Sequence, residues 1–297
     1  MALTGLEIFK MTPKKNCKEC GFPTCMAFAM KVASGAAAIE KCPHISAEAK
    51  DKLAEATAPL MRTVRIGAGD AEKTLGGETV MFRHEKTFVS KTLFAVQFSD
   101  ALSADVVAQK MENIRKVDYV RIGEQMHVEL VAVKYAGNRE RYLELVGQLK
   151  ALDKIFVLVC DDADVAAAAA ELVKETKPVL VGANESNLDA MVALAKEHGI
   201  ALGLNAESVE EMYALAEKAQ QLGYRELLLN VGTASAAQAF ANAVAFRRTA
   251  LVGQDRTLGY PSLVFVNELA KGDAYLQTAL AACFLLKYGS IVVLDDI

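Results

Sequence analysis

Four cysteines, Cys17, Cys20, Cys25 and Cys42, crowd into twenty-six residues near the start of this 297-residue chain, while Cys160 and Cys283 stand apart in apolar stretches. The spacing is Cys-x2-Cys-x4-Cys-x16-Cys. Soft thiolate sulfur suits iron, and four thiolates saturate an iron–sulfur cluster. The first three lie on a tight loop in which Gly21 and Pro23 allow the backbone to curl its N–H groups toward sulfur. Cys42 returns after a helical stretch and precedes Pro43, which withdraws a competing N–H. A zinc site is the alternative, but zinc prefers two close ligand pairs a dozen or more residues apart, and here three ligands sit together with the fourth alone. Disulfides are rare in the cytosol, which disfavours bridges. Lys14, Lys15, Lys18 and Lys41 either offset the anionic thiolates or are ordinary surface lysines. His44 is available as a substitute ligand; with four cysteines in place it reads as an exposed loop histidine. Phe22, Met26 and Met30 read as packing around the cluster.

Residues 1–59 hold the cysteines and two helical stretches, 24–38 and 47–56. Residues 60–90 are irregular, broken by Gly67, Gly69, Gly76 and Gly77, and read as a wrapping linker with one short strand at 63–66. From 91 to 297 apolar runs of strand type fall at 93–99, 127–134, 155–160, 178–182, 200–204, 226–231, 263–266 and 291–294. Helical periodicity fills 104–116, 139–150, 163–174, 188–198, 208–222, 234–251 and 270–287. Eight strands alternating with helices predict parallel pairing and an α/β architecture, a (β/α)8 TIM barrel behind a small, mostly α-helical N-terminal domain. An open dinucleotide-binding sheet is disfavoured. Its first strand here runs into Ser99-Asp100-Ala101-Leu102-Ser103 without glycine, and Gly67-Ala68-Gly69 precedes no helix. No helix follows the eighth strand, so its apolar surface is expected to need cover from further chain or from a partner.

Barrel enzymes carry their chemistry at the C-terminal ends of the strands. Asp100, Asp161, Asn184, Asn205, Asn230, Asn267 and Asp295 fall there. They read first as N-caps of the following helices, and second as a polar ring able to hydrogen-bond a pterin or a partner's backbone. Cys160 reads as a small buried hydrophobe, and His84, His127 and His198 show no ligand spacing. A formal charge of −4 excludes a general nucleic-acid grip. No apolar run approaches the roughly 20 residues of a membrane span, and residues 1–10 lack a signal-peptide layout. The expectation is a soluble cytoplasmic protein.

The run Leu3-Thr4-Gly5-Leu6-Glu7-Ile8, Pro13-Lys14-Lys15-Asn16-Cys17, Glu19-Cys20-Gly21, Pro23-Thr24-Cys25 and Cys42-Pro43 resembles the large (gamma) subunit of the corrinoid iron–sulfur protein. Matches continue more sparsely at Glu78, Phe82-Arg83-His84, Ser99-Asp100, Gly259-Tyr260-Pro261 and Lys287-Tyr288. The resemblance implies a 4Fe–4S cluster on Cys17, Cys20, Cys25 and Cys42, a TIM barrel, and a corrinoid (cobalamin) on a C-terminal domain absent from this chain. It implies a methyl carrier of the acetyl-CoA decarbonylase/synthase pathway, paired with a small subunit. Such a carrier works between a methyltetrahydropterin methyltransferase and acetyl-CoA synthase/CO dehydrogenase. The cluster would return Co(II) to Co(I), and no independent active site is expected in these residues. The competing readings are a barrel methyltransferase that binds methyltetrahydropterin at its own mouth, and an electron-transfer module for another cobalamin protein.

Overall fold

The computed structural model describes residues 4–33, 36–46, 49, 59–86 and 88–297. The chain divides into two compact units, Met1–Pro59 and Leu60–Ile297. In the first, helices α1 (Gly5–Met11) and α2 (Cys25–Ala33) are followed by a 3-10 turn at Ile39–Lys41. Thr4 caps α1 in a reciprocal capping box with Glu7. Ile8, Phe28, Ala29, Val32, Ile39 and Ile45 form the apolar centre of this unit. Helix α2 is shorter than the 24–38 stretch expected, and the 47–56 helix lies outside the described residues apart from Ala49.

The second unit is a closed barrel of eight parallel strands. In chain order they are β3 (Leu93–Ser99), β6 (Leu130–Lys134), β7 (Ile155–Val159), β8 (Val179–Ala183), β9 (Leu202–Leu204), β10 (Leu227–Asn230), β11 (Ser262–Phe265) and β12 (Gly289–Leu294). Among the described residues two antiparallel hairpins complete the strand set: β1 (Thr63–Ile66) with β2 (Lys73–Gly76), and β4 (Asp118–Arg121) with β5 (Glu124–His127). The barrel helices are α3 (Ala104–Lys116), α4 (Arg139–Leu149), α5 (Ala163–Val173), α6 (Leu188–His198), α7 (Val209–Gln221), α8 (Ala236–Leu251), α9 (Val266–Ala270) and α10 (Ala274–Lys287). Strands such as Ile-Phe-Val-Leu-Val at β7 are apolar throughout because both faces are buried, one in the barrel and one beneath helices.

Residues 60–90 depart from the wrapping linker expected of them. Val64, Ile66 and Leu75 of the β1–β2 hairpin belong to the same buried cluster as the inward side chains Leu93, Leu130, Ile155 and Ile291. Alternation at β1, with Val64 and Ile66 buried and their neighbours exposed, supplies the apolar face. The Arg62 N–H donates to the Gly259 carbonyl at 2.7 Å, and the Gly67 N–H to the Lys177 carbonyl at 3.1 Å. The hairpin therefore packs with the barrel interior.

Strand β12 is also buried without a following helix. Lys110 of α3 donates to the Asp295 carbonyl at 2.7 Å and to its carboxylate at 2.9 Å. Asn113 donates to Asp296 at 2.9 Å, and Gln277 of α10 accepts from the Asp295 N–H at 2.8 Å. Helices α3 and α10 thus hold the residues that follow β12. The β4–β5 ribbon is the opposite case. Tyr119, Val120 and Met126 are exposed, and Ile122 at its turn is 95% exposed.

A buried charge triad ties the 78–90 segment to the barrel. Glu78 lies between Arg83 (3.6 Å) and Arg247 (3.9 Å), with all three side chains 5% exposed or less. Arg83 also donates to the Gly289 and Ser90 carbonyls, and Arg247 to the Val80 carbonyl at 3.1 Å. Burial pushes both guanidinium pKa values down, and the Glu78 carboxylate pushes them back up. Removing the anion would leave two buried cations facing one another. Glu78→Gln is therefore expected to cost about 3–5 kcal/mol in denaturant unfolding. A loss below about 1 kcal/mol would show that the triad does not anchor this segment.

Candidate functional site

The four N-terminal cysteines are graded by depth. Cys25, the first residue of α2, and Cys42, just after the 3-10 turn, are buried against the apolar centre; Cys20 is half-buried and Cys17 exposed. None of the six cysteines is joined to another by a disulfide. The loop between α1 and α2 takes left-handed backbone at Lys14 (φ 55°), Asn16 (φ 49°), Lys18 (φ 66°) and Gly21 (φ 83°). Such alternation turns successive N–H groups to one side and makes a concavity suited to anions, iron–sulfur clusters among them. Three of these residues carry side chains, which costs energy unless the loop has a purpose for the shape. One consequence is visible: the Asn16 N–H points at Cys25 Sγ, 3.4 Å away, while Asn16 Oδ1 accepts from the Cys25 N–H at 2.8 Å. Thiol donors, an N–H directed at sulfur and nearby exposed lysines together fit an iron–sulfur cluster.

Other residues of this unit meet their expected roles unevenly. Phe22 packs beside Phe28 with ring centroids 5.6 Å apart, as core packing requires. Met30 does not join it and is 58% exposed. His44 is exposed as expected but is not isolated: its Nε2 lies 3.1 Å from Glu19 Oε2. Among the described residues, Cys17, Glu19 and His44 form a convergent group whose ligand atoms all lie within 4.8 Å of one another. Glu19 carries no signal in the sequence because it sits inside the Cys17-x2-Cys20 loop, and His44, available there as a substitute ligand, gives no sign of its pairing with Glu19.

At the C-terminal end of the barrel strands lies a cavity of about 950 Å³. Asp161, Asn184, Asn205 and Asn230 line it. Asn267 and Asp295 line a separate depression, and Asp100 lines neither. The N-cap reading of this set does not hold. Helices α3, α4, α5, α7, α8 and α10 are capped by Ser103, Asn138, Asp162, Ser208, Ser235 and Asp273 instead. Asp100 organises the loop after β6, accepting from the Ala136 N–H at 2.6 Å and the Asn138 N–H at 2.8 Å. Asn184 accepts from Ser186, and Asn230 donates to Asn205 at 3.1 Å. Lys134 and Glu268 form an ion pair at 2.6 Å on the cavity wall, a feature that residue types alone did not reveal. Gly182 permits a close approach there: its φ is +133°, and a Cβ would collide with the Cys160 carbonyl.

Cys160 also lines the cavity. Burial pushes its thiol up to about 12, only partly offset by a backbone hydrogen bond at Asp162. It is a protonated, unreactive thiol, in keeping with the buried-hydrophobe reading. His84 stacks on Phe82, His127 ends β5 and His198 ends α6, and none joins the convergent group. No helix among the described residues is long and apolar enough to cross a membrane.

Comparison with known proteins adds three findings. A family model described as "CO dehydrogenase/acetyl-CoA synthase delta subunit" matches residues 63–297, and one described as "Putative Fe-S cluster" matches residues 13–44. Over 99% of its length the chain is 38% identical to the corrinoid/iron-sulfur protein large subunit of Moorella thermoacetica. It is 32% identical, again over 99%, to the acetyl-CoA decarbonylase/synthase complex subunit gamma of Methanopyrus kandleri. The chain spans 66% of the length of each. Dihydropteroate synthase from Thermus thermophilus superposes with a TM-score of 0.54 over 79% of this chain and 94% of its own, at 16% identity, which shows the shared barrel fold alone.

The depth and raised pKa of Cys160 have a direct consequence. Iodoacetamide at pH 8 is expected to label Cys17 and Cys20 of the cluster-free chain and to leave Cys160 unmodified in peptide mass maps. Labelling of Cys160 at the rate of Cys17 would contradict the inert reading.

Proposed function

The chain belongs to the CO dehydrogenase/acetyl-CoA synthase delta subunit family, and from that premise we propose that it is the cluster-bearing portion of a corrinoid iron–sulfur methyl carrier. Cys17, Cys20, Cys25 and Cys42 hold a 4Fe–4S cluster in this reading. When bound, the cluster supplies one electron at low potential, the requirement for returning an oxidised corrinoid cobalt from Co(II) to nucleophilic Co(I). The residues around it set the terms. Cys25 and Cys42 keep water from the inner side, the Asn16 N–H offsets charge on Cys25, and exposed Cys17 leaves a side on which electrons can pass. No residue of this chain is assigned to the corrinoid. The single observation that carries the reading is the curled loop of Cys17 and Cys20, with Cys25 and Cys42 buried beside it, within the region that matches the iron–sulfur model.

The partners in this reading are a small subunit, a methyltetrahydropterin methyltransferase and acetyl-CoA synthase/CO dehydrogenase. Support comes from relatives named as a large subunit and as a subunit of a complex. The cavity at the barrel mouth, with Asn184, Asn205 and Asn230 on its wall, favours a second reading in which the barrel itself binds methyltetrahydropterin. Titration of the intact chain with methyltetrahydrofolate separates the two: the carrier reading expects no saturable binding, and saturable binding lost in Asn205→Ala supports the second.

Cys20→Ala tests the cluster directly. The anaerobically prepared variant is expected to lose inorganic sulfide and to fail in reductive activation of the corrinoid partner, while methyl transfer from preformed Co(I) continues. Undiminished iron, sulfide and reactivation in the variant would end the proposal.

A further inference from the structure

We propose that Cys17, Glu19 and His44 form a mononuclear divalent-cation site that competes with the cluster for Cys17. Thiolate, imidazole and carboxylate are the three donor types that zinc takes from proteins. Their ligand atoms already converge within 4.8 Å, and Glu19 and His44 stand 3.1 Å apart. Bond lengths of about 2.0–2.3 Å place tetrahedral ligands about 3.3–3.8 Å from one another, so the trio needs only a small adjustment to share one ion. The three come from two segments: Cys17 and Glu19 from the curled loop, His44 from the turn after Cys42. All lie on the solvent side of the unit, opposite in depth to Cys25 and Cys42, so an ion enters without disturbing the apolar centre. A fourth position is left for water.

Binding replaces the Cys17 thiol proton with the metal and releases that proton to solvent. No electron moves. Because one Cys17 sulfur cannot serve both centres, the two occupancies exclude each other. Zinc held at this corner would keep an unfilled site from accepting a cluster, and iron–sulfur loading would expel zinc. The competition rests on the cluster reading above; the binding of a single ion does not.

Cobalt(II) reports thiolate ligation by a charge-transfer absorption and tetrahedral geometry by its visible bands. The full 297-residue chain, freed of cluster under argon, is titrated with Co2+ alone. One ion is expected to bind with single-thiolate intensity. His44→Ala and Glu19→Gln, both at exposed positions, are each expected to weaken it by about tenfold or more. Cys42→Ser is expected to retain it. Absence of thiolate–cobalt absorption, or unchanged affinity in His44→Ala, would overturn the proposal by showing no site or one built from cysteines alone. A second measurement follows cluster reconstitution with iron and sulfide in the presence of one equivalent of Zn2+. Reconstitution is expected to be slowed in the wild-type chain and restored in His44→Ala; equal inhibition of both would overturn the role of His44. A chain that binds Co2+ through His44 but never takes up iron and sulfide would refute the cluster reading and leave this site standing.

Discussion

A unit of fewer than sixty residues buries too little apolar surface to hold a precise shape by packing alone, and here, among the described residues, a handful of side chains around Ile8, Phe28 and Ile39 make up its centre. Metal–thiolate bonds are the usual remedy, because their formation is coupled to folding. The remaining features of the unit follow from that dependence. Two cysteines enter the centre itself, so a bound cluster would extend the core. The other two lie on a loop whose left-handed residues would be costly in an unliganded turn and become useful when N–H groups must face sulfur. The same arrangement exposes one corner, which is where Glu19 and His44 gather.

The barrel solves a different problem. Parallel strands require cover on both faces and at the N-terminal end of the bore. Helices supply the first, and the β1–β2 hairpin contributes Val64, Ile66 and Leu75 to the second. The Glu78–Arg83–Arg247 triad fixes the segment that follows, at the cost of desolvating three charges. The other end remains open as a polar cavity, its wall braced by the Lys134–Glu268 pair.

Much of this was legible in the sequence, and unevenly. Helix α3 begins and helix α6 ends where their residues say they should, because Ser103 caps the first and Gly199 terminates the second in left-handed backbone. The polar residues after the strands stand one to six positions before the residues that cap the helices. Asp162 rather than Asp161 caps α5, and Asn187 rather than Asn184 stands at the start of α6. Periodicity locates a loop but not the residue whose backbone turns there. The β4–β5 ribbon was invisible because Val120 and Met126 look like the approach to a buried strand, and only the two-residue turn at Ile122-Gly123, both with positive φ, betrays the hairpin. Of the β1–β2 plug the sequence shows only the strand at 63–66, because β2 carries no alternation of buried and exposed residues. The convergence of Cys17 with Glu19 and His44 is a fact of three dimensions, set by how the loop folds back on the turn after Cys42.

The central claim is that Cys17, Cys20, Cys25 and Cys42 bind one four-iron cluster. Quantifying iron and acid-labile sulfide in the anaerobically isolated wild-type chain, alongside the electron paramagnetic resonance spectrum after dithionite reduction, tests it most directly. The account predicts about four irons and four sulfides per chain with a reduced-cluster signal. Stoichiometric zinc, no sulfide and no signal would contradict it.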